Sequence, residues 1–437
     1  MQNLVRRANP MRHGRLQRRR VLTSGPVKAV ALALCSMLAS TAIVGAFFVT
    51  STFATVSDNA VDIGTSEELP DIGLGGVEGG FDVLVVGADN DANQGDAFGE
   101  RDGTLNDVNI WLHVNQDHAR AVAVSFPRDL IIPHPECADP NTGETFDAMS
   151  AQPLNSAFSR GGLACVAQTI SSLTGEQFEY AASVSFNGVI ALSDAVGGVQ
   201  VCLADPIFDP DADLDLPAGL VTLQGASALG FLRTRHGIGD GSDLARISNQ
   251  QSFLSALMRR VKSEATLSDP GKVVGIARVA ADHMVLSTSL ANPITMASLA
   301  IALKDVPLDQ IVFVQYPGTT GSAEFPGKVV PLEDQAAQLV SAVIADQPFQ
   351  LGADALGQGV TVDPAAPAEP APADPPPVDE GAAEPAPDES AQETPDDPAA
   401  QAAPPVDPAP PAAPPPVIEG LKGQDASQAT CTVGFVD

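Results

Sequence analysis

The chain has 437 residues, 44% of them hydrophobic, with 54 acidic against 23 basic side chains and a formal net charge of −31. The length allows two or three domains, or one large domain with tails, and the hydrophobic content excludes wholesale disorder. The acidic balance excludes nucleic-acid binding by the protein as a whole.

In chain order, the first feature is basic. Eight of the 23 basic residues precede position 29, where there is no acid. Residues 29–56 then carry no charge and are rich in Ala, Val, Leu and Phe. A bilayer core needs roughly 20 apolar residues. We therefore read 29–56 as a single transmembrane signal anchor, with residues 1–28 cytoplasmic and the remainder outside the cell membrane. A cleaved signal peptide competes with this reading, although its apolar region runs only about 7–15 residues. The basic block reads as a topology signal beside anionic lipid. Residues 57–80 read as a linker.

Residues 81–350 read as one globular domain. Apolar runs predict strands at 81–88, 108–114, 120–126, 180–186, 199–203 and 310–316. Helical patterns lie near 162–173, 187–196, 225–235, 243–263, 291–303 and 333–345. Strands alternating with helices predict an α/β fold with a sheet between helix layers, α/β/α. Residues 351–420 read as a disordered Pro-rich acidic spacer, because 19 of 37 prolines and 13 acids, with no base, fall in 361–420. A short segment, 421–437, regains apolar residues.

Cys137, Cys165, Cys202 and Cys431 would face an oxidising exterior, where disulfides persist. Four cysteines permit three pairings. We favour Cys137–Cys165, which would close an irregular polar loop and leave Cys202 and Cys431 as a second pair. No spacing fits a zinc site.

Helix 243–263 has an inward stripe that begins polar and turns apolar. Asp243, Arg246 and Gln250 precede Leu254, Leu257 and Val261 on that stripe. Buried charges need partners, so this end reads either as a capped helix start or as a site. Just upstream, "FLRTRHGIGDGSD" sets Arg233 and Arg235 before a glycine loop. Residues 81–350 hold only ten arginines and a net charge of −18, so this concentration is unusual. Arginine forks bind phosphate oxygens bidentately, and glycine loops let N–H groups approach anions. The bland alternative is a loop salt-bridged to Asp240 and Asp243. Asp89 and Arg128 each follow an apolar run at its carboxyl end, where open α/β sheets place ligands. Asp107 opens a strand. Two such carboxylates suit one hard cation such as Mg²⁺, although each alone is more often a turn residue. The run Asp209, Asp211, Asp213, Asp215 fails as a calcium loop, because Leu214 and Leu220 stand where Gly and Glu are needed, and it reads as an acidic loop.

The blocks "VLVVGADN", "LNDVNIWLHV", "AVAVSFPRDLIIP", "PLNSAFSRGGLACVAQTISSLTG", "SFNGVIALSDAVGGVQVCL" and "ALGFLRTRHGIGDGSDLARISNQQSFLSAL" resemble, in order and spacing, the LytR–CpsA–Psr family over roughly residues 80–265. Two further stretches resemble its actinobacterial branch. The resemblance implies a membrane-anchored phosphotransferase. It would move a glycopolymer (teichoic acid, capsule or arabinogalactan) from a polyprenyl-pyrophosphate carrier to a peptidoglycan hydroxyl and release polyprenyl phosphate. It implies phosphate binding by Arg128, Arg233, Arg235 and Arg246, with Asp243 and Gln250 as polar companions and Arg128 and Asp243 closest to the chemistry. It implies Mg²⁺ or Mn²⁺ on Asp89 and Asp107. One position departs from the family pattern: Leu105 stands where many members have arginine, and nearby Arg101 is the expected substitute. The apolar helices near 162–173 and 187–196 read either as walls of an isoprenoid groove or as plain core. Alternative functions are hydrolysis of polyprenyl pyrophosphates and binding of lipid-linked wall intermediates without turnover.

Overall fold

The computed structural model describes residues 60–64, 77–89, 104–262, 276, 279–280, 282–365 and 415–435. The basic block, the 29–56 segment and Arg101 lie outside these residues. Among the described residues, no helix is long and apolar enough to cross a membrane.

The frame is a seven-stranded mixed sheet. Its strands are β1 (Phe81–Ala88), β2 (Asn106–Val114), β3 (Ala121–Ser125), β4 (Tyr180–Val184), β7 (Met284–Leu286), β8 (Ile311–Gln315) and β10 (Gly423–Asp425), in the spatial order β7-β4-β1-β2-β3-β8-β10. The pairs β1–β4 and β3–β8 are parallel and the others antiparallel. β3 is buried at every position, because helices cover both faces of the sheet.

Alternation along the strands feeds two cores. Leu84, Val86, Trp111, Val122 and Val124 face one layer, made by helices α1 (Phe158–Thr174) and α6 (Glu333–Ile344). Val83, Ile110, Val114, Ala121 and Ala123 face the other, where Leu299 and Ala302 of α5 (Pro293–Asp305) pack. Leu254 and Met258 of α4 (Asp243–Lys262) also reach this second core. The expected α/β/α layering therefore follows from strand alternation.

A satellite sheet has the order β6-β5-β11-β9, from β5 (Val199–Leu203), β6 (Gly219–Leu223), β9 (Val360–Val362) and β11 (Thr430–Thr432). Helices α2 (Phe186–Ala195) and α3 (Ala226–Arg233) flank it in sequence, and Phe231 of α3 shares its core with Val199, Val201 and Leu203. Cys137–Cys165 ties a small hairpin to α1, and Cys202–Cys431 joins β5 to β11.

Two expectations change. The domain does not stop at 350, because β9, β10 and β11 belong to its sheets. The spacer read as 351–420 thus begins and ends in folded structure: residues 351–365 and 415–420 belong to the domain, and 366–414 lie outside the described residues. Helix α1 packs Leu163, Val166 and Ile170 into the first core, in line with its plain-core reading.

Candidate functional site

The site lies at the end of the sheet where β1 finishes, β2 begins and α4 starts. The β1–β2 register runs Gly87 opposite Val108, then Ala88 opposite Asn106. Asp107 is therefore the extra residue of a β-bulge, a device that re-aims a side chain. Asp89 follows directly. It is 1% exposed, its N–H donates to Leu105 O at 3.0 Å, and its Oδ1 accepts from Leu105 N at 2.7 Å.

Arg128, just beyond β3, links these pieces. Its Nη1 lies 2.6 Å from Asp107 Oδ1, and its backbone N–H donates to Asp243 Oδ2 at 3.0 Å. Asp243 opens α4, and its Oδ1 lies 2.6 Å from Arg246 Nη2. That Arg246 nitrogen also donates to Asp107 O at 2.9 Å. Asp243 Oδ2 is hydrogen-bonded by the Arg128 N–H and its Oδ1 is ion-paired with Arg246, so the carboxylate has the geometry of an orienting group. Asp129 Oδ2 lies 3.7 Å from Arg128 Nε, and its Oδ1 lies 2.6 Å from Lys328 Nζ.

The charges are unevenly matched. Burial works against the charged Arg128, but the Asp107, Asp243 and Asp129 carboxylates outweigh it and raise its pKa. Arg235 goes the other way. Burial lowers its pKa, and the nearby positive charges of Arg128 and Arg246 lower it further. The Nε atoms of Arg128, Arg235 and Arg246 are buried with no hydrogen-bond partner among the described residues. Buried donors of this kind call for an acceptor, and a phosphate group supplies several.

The Arg233–Thr234–Arg235 turn is fixed from below. Asp209 Oδ2 accepts from Thr234 Oγ1 at 2.5 Å and from Arg235 N at 3.2 Å. Its Oδ1 accepts from Asp211 N and Ala212 N. Asp209 is 2% exposed and Thr234 fully buried. Arg233 sits over the Phe186 ring, 5.1 Å from its centroid. Asp209, Asp211 and His236 bring possible ligand atoms within 4.8 Å of one another, but the Asp209 oxygens already accept four hydrogen bonds.

An apolar cavity of about 390 Å³ opens onto this charge cluster. Phe186, Val189 and Leu192 of α2, Phe253, Leu254 and Leu257 of α4, and Val85 of β1 line its length. Asp107, Ser193, Arg233, Arg246 and Gln250 supply its polar lining. Helix α2 is therefore a cavity wall. Gln250 lines the cavity, but its Nε2 donates to Leu232 O at 2.9 Å, so its amide also secures the end of α3.

Of the sequence-predicted residues, the structure brings Asp107, Arg128, Arg235, Asp243 and Arg246 together, with Arg233 and Gln250 on the cavity wall. Asp89 lies at the adjoining strand end. The donor chemistry of Asp89 and Asp107 fits a hard divalent cation, with Asp107 Oδ1 already engaged by Arg128. Asp209, Thr234, Asp129 and Lys328 were missed. Asp129 adjoins Arg128 in sequence and was open to notice. Asp209 reads in the sequence as part of the acidic loop, and nothing in the sequence joins Lys328 to Asp129 across 199 positions.

The model of the LytR_cpsA_psr family matches residues 47–341. The chain is 29% identical over 283 residues to the cell wall biosynthesis protein LcpA of Corynebacterium glutamicum, covering 59% of this chain and 54% of that protein. It is 23% identical over 237 residues to the polyisoprenyl-teichoic acid–peptidoglycan teichoic acid transferase TagV of Bacillus subtilis, covering 53% of this chain and 56% of that protein. The chain thus spans about half the length of the curated relatives it matches. Among solved structures, protein gbs0355 from Streptococcus agalactiae aligns with a TM-score of 0.50 at 20% identity, covering 61% of this chain and 88% of that one.

Proposed function

The chain belongs to the LytR–CpsA–Psr family, and from that premise and the site's geometry we propose that it is a glycopolymer–peptidoglycan phosphotransferase. The donor is a polymer carried on polyprenyl pyrophosphate, and the acceptor is a peptidoglycan hydroxyl. The observation that carries this reading is the apolar cavity lined at one part by Asp107, Arg233, Arg246 and Gln250. A ligand that matches it has a long apolar chain and an anionic head. The transferase name carried by the Bacillus relative and the wall-biosynthesis name of the Corynebacterium relative agree with this chemistry.

In the proposed reaction the acceptor oxygen attacks the phosphorus that bears the sugar. The bond from that phosphorus to the bridging oxygen breaks, and polyprenyl phosphate leaves with the electron pair. The acceptor proton passes to solvent or to a base, and a phosphodiester remains. Such transfers depend on positioning and charge stabilisation more than on covalent catalysis. Arg235, Arg128 and Arg246 offer donors and positive charge to the pyrophosphate, while Arg233 guards the cavity wall. Asp243 holds the Arg128 backbone and the Arg246 guanidinium. Asp89 and Asp107 would hold Mg²⁺ or Mn²⁺, which supplies further charge neutralisation when bound.

The same reading places residues 29–56 in the membrane and the domain outside it, which suits the two disulfides. The test uses purified protein and a polyprenyl-pyrophosphate-linked oligosaccharide, with and without peptidoglycan. Transfer of sugar phosphate to the acceptor is expected. Release of free sugar phosphate at the same rate in both conditions would make the protein a hydrolase, and donor binding with no turnover would make it a carrier protein.

A further inference from the structure

The segment 415–435 is threaded through the domain. Strand β10 forms the outer edge of the main sheet, pairing Val312–Val314 of β8. Strand β11 lies parallel to β5, antiparallel to β9, and is bonded covalently at Cys431. Between these strands the segment lies along α4, on the face turned away from Asp243, Arg246 and Gln250.

The contact is a buried polar seam. Gln424 Nε2 donates to Ser255 Oγ at 2.8 Å, Ser252 Oγ and Thr430 Oγ1 lie 3.1 Å apart, and Thr432 Oγ1 donates to Asn249 Oδ1 at 2.8 Å. All six of these side chains are at most 4% exposed. Asn249 extends the seam, because its Nδ2 donates to Phe231 O at 2.6 Å, two residues before Arg233. A second set of contacts reaches the glycine loop. Gly239 N donates to Val433 O at 3.2 Å, and Phe435 N donates to Gly237 O at 2.9 Å. Gly239 and Gly359 have positive φ, and a Cβ on either would meet the other's backbone within about 3.2 Å, so a side chain at either position is strained.

We propose that residues 423–435 position the phosphate-binding elements: Thr430 and Thr432 set α4 and the end of α3, while Val433 and Phe435 set the loop after Arg235. This rests on the functional reading above, in which Arg235 and Arg246 bind the donor pyrophosphate and Arg233 lines the cavity beside it. The seam is polar and buried, so it specifies one register of the helix against the strand. An apolar contact would permit sliding, whereas a displaced hydroxyl leaves a buried acceptor unpaired.

The test is the full chain with Thr430→Val and Thr432→Val together, which keeps shape and removes both hydroxyls. Backbone hydrogen exchange is measured alongside affinity for geranyl pyrophosphate, a short apolar chain with a pyrophosphate head. Exchange in residues 237–247 is expected to rise at least tenfold while β1–β3 stay unchanged, and affinity to fall at least tenfold. Thr430→Ser with Thr432→Ser should restore both. If the double valine chain does not fold, Thr432→Val alone is measured in the same way. Unchanged exchange in 237–247, or an equal rise throughout the domain, overturns the proposal. Native protein that fails to bind geranyl pyrophosphate contradicts the functional reading instead, and the exchange pattern still decides the positioning role.

Discussion

Charges are buried at both ends of the seven-stranded sheet, and the two ends treat them differently. At the end where β1 starts, His113 Nδ1 lies 2.9 Å from Asp82 Oδ1 and its Nε2 lies 2.8 Å from Asp346 Oδ1. Trp111 Nε1 donates to the same Asp82 oxygen, and Glu179 Oε2 accepts from Asp82 N. Both histidine nitrogens are used, so the group is closed. At the opposite end, Arg128, Arg235 and Arg246 share a few carboxylates and keep buried Nε donors without acceptors among the described residues. Closed charge networks hold a fold together, while open ones wait for a ligand.

Breaking the open end should cost activity more than stability. Arg235→Ala is expected to lower transfer about 10²–10³-fold, the usual effect of removing one preorganised donor. Its unfolding midpoint should not fall, because Arg235 is disfavoured by burial and by two like charges. Urea unfolding and donor turnover on one preparation check this.

Breaking the closed end should do the reverse. Burial disfavours the His113 cation, yet hydrogen bonds and charge from Asp82 and Asp346 outweigh it and bring the pKa to about 9. A raised folded pKa means that this stability is complete below about 6.5, the unfolded value, and is lost as pH rises through about 9. The contribution is on the order of 3 kcal/mol. His113→Leu should remove that amount at pH 6, little of it at pH 10, and leave turnover per folded molecule unchanged. Unfolding curves at the two pH values measure the difference.

Two smaller effects sharpen the contrast. Asp209→Asn cannot accept at all four of its contacts, so the Arg233–Arg235 turn should loosen and donor affinity fall about tenfold, roughly the 1.4 kcal/mol of one hydrogen bond. Isothermal titration with geranyl pyrophosphate reads this change. Glu179 is pushed up to about 7, by burial first, with the Asp82 charge adding to it against the Asp82 N–H bond. Stability tied to Glu179 is therefore lost as pH rises from about 4.5 to about 7. Glu179→Gln should flatten that slope and stabilise the neutral protein by about 1 kcal/mol, seen as a higher melting midpoint at pH 8 than the native chain.

The sequence foretold much of this where local pattern decides structure. Strands such as 81–88 and helix 243–262 follow from apolar runs and periodicity, and the arginines of the open end stood out against an acidic background. What it concealed is non-local. The bulge that turns Asp107 inward exists only once β1 and β2 are paired. Lys328 meets Asp129 only through the fold. The acid- and proline-rich composition of 361–420 masked Val360–Val362, which pairs with a strand some 70 residues later. The closed end was invisible for the same reason, since Asp346 reaches His113 across 233 positions.

The central claim is that the apolar cavity and the open arginine cluster hold one amphiphilic donor. A crystal structure with bound polyprenyl phosphate tests it most directly. The account predicts the phosphate within hydrogen-bond distance of Arg235, with Arg128 or Arg246 beside it, and the isoprenoid chain against Phe186, Val189 and Leu257. A phosphate bound away from these arginines, or a chain lying outside the cavity, would contradict it.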